Sequence, residues 1–171
     1  MLRRLFLLIL LALAAPAFAQ PAAPRVALET DAGRIVIELD TARAPITAGN
    51  FLRYVDARRY DGMTFYRAMK TGPDSGLIQG GINDARRLYP PIAHEPTSRT
   101  GLSHVDGAMS MARGALGTAQ ADFFIIVGGQ MAGLDAGPYS GGDLQGYAVF
   151  GRVVEGMDVV SQGRDARVFT V

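Results

Sequence analysis

Cysteine and tryptophan are missing from the 171-residue sequence, and lysine occurs once, at Lys70. No disulfide, thiolate metal site or lipid-bearing cysteine is therefore possible. Histidine is scarce as well, with only His94 and His104. Glu95 and Asp106 lie near them in sequence, but the spacing fits no metal-ligand motif, and local hydrogen bonding is the better reading. Ser98, Ser103, Ser110 and Ser140 lack the G-x-S-x-G setting of an exposed nucleophile, which argues against a Ser-His-Asp hydrolase. Glycine is plentiful at 21 residues, yet forms neither a phosphate-binding loop nor a dinucleotide fingerprint. Charge runs, internal repeats and long linkers are absent, so the chain reads as one domain.

What is present begins with MLRRLFLLILLALAAPAFAQ. Arg3 and Arg4, the apolar run Leu5 to Ala15 and the small-x-small stretch Ala17-Phe18-Ala19 have the layout of an export signal. Residues 1–19 are expected to be that signal, with a mature chain starting near Gln20. The apolar run is too short to span a bilayer comfortably, so no stable membrane insertion is expected after cleavage. Loss of Arg3 and Arg4 turns 17 basic and 16 acidic residues into 15 and 16. A near-neutral chain has no electrostatic reason to bind nucleic acid or anionic membrane. The expected location is periplasmic or secreted.

Residues 20–24, QPAAP, form a lead-in to a domain expected over 25–171. RVALET and RIVIEL alternate with period two around Asp31-Ala32-Gly33. This hairpin pattern puts Val26 and Leu28, then Ile35, Ile37 and Leu39, on one face. Pro45 opens an amphipathic helix with Ala48, Phe51, Leu52 and Val55 on its apolar stripe. Further strands are expected at MTFYRAM, GLIQ, GAMSMA, DFFIIV and YAVFGRVV, a short helix from Gly156 to Val160, and a last strand in RVFTV. Many short strands with Gly/Pro turns and two helices indicate a β-barrel or sandwich. Bulky residues at the inward positions disfavour a carrier that holds its ligand inside. Two details need explaining. GLIQGGIND places the amide of Gln79 in an apolar run that meets Gly80-Gly81, and adjacent Phe123 and Phe124 must face opposite sides of a strand.

Several stretches together resemble the cyclophilin-type peptidyl-prolyl isomerases, bacterial exported members in particular. They are VALETDAGRIVIEL, AP-I-T-AGNF, YDGMTFYRAM, LIQGG, the pair HE, GAMSMAR, DFFI and YAVFGRVVEGMDVV, and they occur in family order across nearly all of residues 25–171. The resemblance implies an eight-stranded antiparallel closed β-barrel capped by two α-helices, with a substrate groove on its outer surface. It implies cis/trans isomerisation of X-Pro bonds in unfolded or partly folded proteins, with no cofactor, no metal and no covalent intermediate. By position, Arg67 and Gln79 fall on the catalytic arginine and the groove glutamine. Leu77, Ala112, Phe124, Leu134 and Tyr147 fall on proline-pocket and groove positions. Gly80-Gly81 is expected to give the backbone room to turn. A monomer working in protein folding is expected.

Three departures qualify the resemblance. Gly76 stands where the family has a phenylalanine of the proline pocket, and Leu77 or Tyr66 is the expected substitute. Asp122 replaces the glutamine that commonly precedes Phe-Phe, which puts a negative charge near the groove. Gly133-Leu134-Asp135 lies where the family has the tryptophan associated with cyclosporin sensitivity, so weak cyclosporin inhibition is expected. Because of Gly76, the alternative reading is a proline-peptide binding module or chaperone of the same fold with little catalysis.

Overall fold

The computed structural model of the chain describes residues 22–165 and 170–171. The expected signal, residues 1–19, lies outside the described residues, as do residues 166–169. The first alternating pattern forms strands β1 (Arg25–Thr30) and β2 (Gly33–Leu39), in which Val26 pairs with Ile37 and Leu28 with Ile35. Helix α1 (Pro45–Asp56) follows, then β3 (Thr64–Lys70) and β4 (Gly76–Gly81). A single-turn α2 (Thr97–Thr100), β5 (Ala108–Met111), β6 (Phe123–Val127), β7 (Ala148–Glu155) and α3 (Met157–Asp165) complete the elements.

The strands form one antiparallel sheet in the order β1-β2-β7-β5-β6-β4-β3. The expected eight-stranded closed barrel is, among the described residues, a curled seven-stranded sheet. Its two edge strands are linked near the chain's end. Thr170 bridges Thr64 of β3, and its carbonyl accepts from the Asp31 amide at the β1–β2 turn at 3.2 Å. The Val171 amide donates to Met63 (2.9 Å). The expected last strand, RVFTV, lies mostly outside the described residues; of it, Thr170 makes this bridge.

One face of the sheet holds the main core. Ile35, Ile37 and Leu39 are fully buried with Phe123, Ile125 and Phe150. Buried side chains from the strands and α1 pack together on this face. The helix stripe is rotated from the expected one: α1 buries Thr47, Ala48, Asn50, Phe51 and Tyr54, while Leu52 and Val55 are only half-buried. Phe51 packs edge-on against Phe123 with ring centres 5.5 Å apart. Ala44 gives α1 no capping side chain. Buried Glu95 fills that role from a distance, accepting from the amides of Ile46 (3.2 Å) and Thr47 (2.7 Å) and from the Thr47 hydroxyl (2.7 Å). A carboxylate there meets both the free amides and the positive end of the helix dipole.

Candidate active site on the outer face of the sheet

Along β6 the side chains alternate, and both faces are buried. Phe123 and Ile125 enter the main core, whereas Phe124 and Ile126 join a second apolar cluster on the outer face. Leu77, Ala108 and Val149 are its other buried members, and Met69, Ala112, Leu134 and Tyr147 pack on its rim. All five residues expected at pocket and groove positions therefore meet in one place. Met69 is an addition. It pairs with Leu77 across β3 and β4, and its carbonyl oxygen occupies the place a Cβ at Gly76 would take. Gly76 is therefore no vacancy, and Met69 with Leu77 lines this side of the pocket. Tyr66 is not a member of this cluster, and its hydroxyl bonds to Asp122 and Gln79.

Phe124 is held on two sides. Its ring stacks on His104 at 5.8 Å and meets Tyr147 edge-on at 5.4 Å. His104 is fully buried and hydrogen-bonded through both ring nitrogens. Nδ1 donates to Asp135 Oδ1 (2.6 Å), and Nε2 accepts from the Ser110 hydroxyl (2.8 Å). Burial pushes the imidazole below its ordinary value, more than the Asp135 hydrogen bond pushes it up, so the ring is neutral. Ser110, His104 and Asp135 thus have the connectivity of a hydrolytic triad. Ser110 and His104 are 0% exposed, however, and no substrate reaches them. They form a prop beneath Phe124. The sequence offered no spacing signal for it, because Asp135 lies 31 residues from His104.

Beside the pocket stands Arg67, exposed on β3 and paired with Gln79 of β4. Its Nη1 donates to Gln79 Oε1 (3.1 Å), and its Nη2 lies 3.7 Å from the sulfur of Met69. Gln79 Nε2 donates to the Tyr66 hydroxyl (2.8 Å), which donates to Asp122 Oδ2 (2.7 Å). The glycines after Gln79 do not turn the chain. They lie within β4, where a Cβ at Gly80 would come within 2.9–3.0 Å of Thr64, Met63 and Phe65. A Cβ at Gly81 would fall inside the Asp122 carboxylate. Their purpose is close approach.

Next to this row lies a cleft of about 230 Å³ bounded by Gln79, Ala112, Arg113, Gln120 and Asp122. A larger cavity of about 810 Å³, between the lead-in residues Ala22–Pro24 and the Asp40–Arg43 turn, contains none of the site residues. Among the described residues no group of three or more acidic or histidine side chains is placed to hold a metal. A guanidinium fixed at the edge of an apolar cluster and beside a cleft can donate to an atom of a peptide laid across them.

The family model for cyclophilin type peptidyl-prolyl cis-trans isomerases matches residues 25–170. The chain is 37% identical over 152 residues to peptidyl-prolyl cis-trans isomerase A of Dickeya dadantii, covering 86% of this chain and 74% of that one. It is 40% identical over 140 residues to the isomerase cyp18 of Streptomyces antibioticus, covering 79% and 80%. Its fold is similar to the crystal structure of a Cryptosporidium parvum cyclophilin type isomerase determined in the presence of the dipeptide Ala-Pro. The TM-score is 0.66 at 19% identity, covering 86% of this chain and 95% of the other.

Proposed function

Because the chain belongs to the cyclophilin-type peptidyl-prolyl cis-trans isomerases, we propose that the outer face of β3, β4 and β6 is its active site, with Arg67 as the catalytic donor. The observation that carries this assignment is the placement of the Arg67 guanidinium, tethered to Gln79, at the edge of the apolar cluster around Phe124. A proline-containing peptide is the ligand this reading assigns to the face.

The chemistry needs little else. Rotation about the peptide bond faces a barrier of about 18–20 kcal/mol because amide resonance is lost, and an X-Pro bond takes tens to hundreds of seconds to isomerise unaided. In the twisted state the prolyl nitrogen regains a lone pair. A donor aimed at that nitrogen binds the twisted amide better than either planar form, which is the condition for catalysis. Arg67 donates permanently, since its guanidinium does not lose its proton in a protein. Phe124, Leu77 and Met69 receive the proline ring, with Ala112, Leu134 and Tyr147 at the rim, and exclude water from the bond being formed. One charge-assisted hydrogen bond supplies about 1.5–3 kcal/mol, roughly one to two factors of ten in rate. The remainder comes from holding the peptide, to which the free face of Gln79 contributes.

The cellular role follows from the sequence of residues 1–19. Its charged start, apolar run and small-residue site support an exported isomerase, and we further propose that it acts as a monomer on proline-containing segments of proteins folding in the cell envelope. Sequencing the N-terminus of the protein recovered from its native host checks export: a start near Gln20 supports it, and a retained Met1 overturns it. The test of the site is the cis/trans exchange rate of an Ala-Pro peptide with residues 20–171, beside Arg67→Ala. Acceleration by the wild type, reduced about ten- to a hundredfold in the variant, supports the assignment. Equal acceleration by both places the donor elsewhere. A folded wild type without acceleration returns the face to a binding role.

A further inference from the structure

A regular strand turns successive side chains to opposite faces. Between Phe65 and Arg67 the pairing of β3 with β4 shifts, and Tyr66 is the extra residue. As a result Tyr66 and Arg67 both reach Gln79, one at each end of its amide. A bulge beside a reactive group is a means of aiming side chains.

The direction of each hydrogen bond follows from what the groups can donate. A carboxylate only accepts, so the single hydroxyl proton of Tyr66 goes to Asp122 Oδ2. The hydroxyl oxygen is then left to accept, and the Gln79 nitrogen donates to it. The Gln79 oxygen must consequently point to Arg67, which has only donors to offer. If Gln79 were flipped, its N–H groups would face the guanidinium N–H groups, and no bond would form. We propose that Asp122 and Tyr66 are positioning residues for Arg67, acting through the Gln79 amide, whose orientation they fix so that its oxygen anchors the guanidinium. The other Asp122 oxygen is held by the Ile82 amide at 3.2 Å, and the carboxylate lies in space that only glycine at 81 leaves free. Burial, then the bond to Asp122, raises the Tyr66 hydroxyl well above its usual range, so it remains a donor throughout the working pH range.

The catalytic half of this proposal rests on the active-site assignment above; the orientation half does not. Both are tested in the full-length protein with Tyr66→Phe, Asp122→Asn, Asp122→Ala and the double variant Tyr66→Phe/Asp122→Ala. The readouts are kcat and KM on an Ala-Pro peptide, and the NMR signals of the Gln79 side-chain amide, identified by their loss in Gln79→Ala. Tyr66→Phe should lower kcat about tenfold with KM within twofold, and should shift the Gln79 amide signals. Asp122→Ala should match it, and Asp122→Asn should fall between, because its single oxygen can accept from Tyr66 or from the Ile82 amide but not from both. The double variant should be no worse than either single one, as expected for links in series. Wild-type kcat in Tyr66→Phe, or additive losses in the double variant, overturns the proposal. Asp122→Ala also strips the Ile82 amide of its partner, whereas Tyr66→Phe leaves that contact intact and stays interpretable if the former fails to fold. Should the wild type not catalyse at all, the active-site assignment fails by itself. The Gln79 signals then decide alone, and unchanged signals in Tyr66→Phe refute the relay.

Discussion

Phe123 and Phe124 are neighbours in the chain and belong to different cores. Phe123 is fully buried among Phe51, Tyr60 and Phe65, which it meets edge-on at 5.5–5.7 Å. Phe124 lies on the other face of the sheet, between His104 and Tyr147. The strand that carries them separates the main core from the face proposed to receive a peptide.

The two phenylalanines should therefore fail differently. Phe123→Ala should destabilise the fold by about 3–5 kcal/mol, the usual loss for a large aromatic cut from a closed core. Phe124→Ala should cost less stability and lower kcat/KM at least tenfold. Urea unfolding and the peptide exchange assay, run on both variants, check the contrast; equal losses in both assays would contradict it.

Gly76 invites a repair that should not work. A phenylalanine there would match the family pattern, but its Cβ would collide with the Met69 carbonyl and come within 3.1 Å of the Arg164 side chain. Gly76→Phe should push β3 away from β4, lower stability by about 2 kcal/mol or more, and reduce kcat/KM. A gain in activity would show that the pocket is not already filled from Met69 and Leu77.

Glu95 should matter to a helix 48 residues away. It alone supplies side-chain acceptors to the start of α1 among the described residues, through two bonds to Thr47 and one to the Ile46 amide. Glu95→Gln replaces an acceptor with a donor that faces donors. The expected loss is about 2 kcal/mol, read as a lower urea midpoint at unchanged slope.

His104 sets a pH dependence whose sign is fixed by its burial. Its folded-state value lies below the ordinary one, so as pH falls through about 6.5 the unfolded chain gains a proton that the folded protein does not. Stability should therefore decline from pH 7 to pH 5, and His104 should contribute no slope above pH 7. The carboxyls of Asp143 and Asp165, held at about 2 by hydrogen bonds from Arg113 and Arg164, stay ionised across that window. His104→Gln should lower Tm at pH 7 yet flatten the decline towards pH 5. An unchanged slope would assign the decline to other groups.

The alternation in RVALET and RIVIEL was enough to orient Val26, Leu28, Ile35, Ile37 and Leu39, because a period of two leaves one choice of face. The α1 stripe was less legible. Tyr54 and Asn50 are buried by partners from other segments, Asn50 through a bond to the Gln120 carbonyl (2.6 Å), and polarity alone gave no sign of it. At the candidate site, Arg67, Gln79 and Phe124 were singled out by position within recognisable motifs. Tyr66, Asp135 and Met69 were not, since their roles depend on a strand irregularity and on partners far away in sequence. Asp122 was visible as an oddity of charge, but its partners, Tyr66 at 56 residues' distance and Ile82 at 40, were not. Gly80 and Gly81 were legible as glycines with a purpose, and only packing showed that the purpose is room rather than a turn.

The irregular pairing at Tyr66 has a consequence for how such a surface is enlarged. A regular sheet allots each face one side chain for every two residues of strand. An inserted residue breaks that quota locally: with Tyr66 removed, Arg67 would still stand opposite Gln79 beside Phe65 and Gly80. Deleting Tyr66 should thus give a straighter ladder with the main donor in place and its support gone. A single codon separates the bare arrangement from the braced one, and a sheet can acquire a new anchoring group without giving up any it already has.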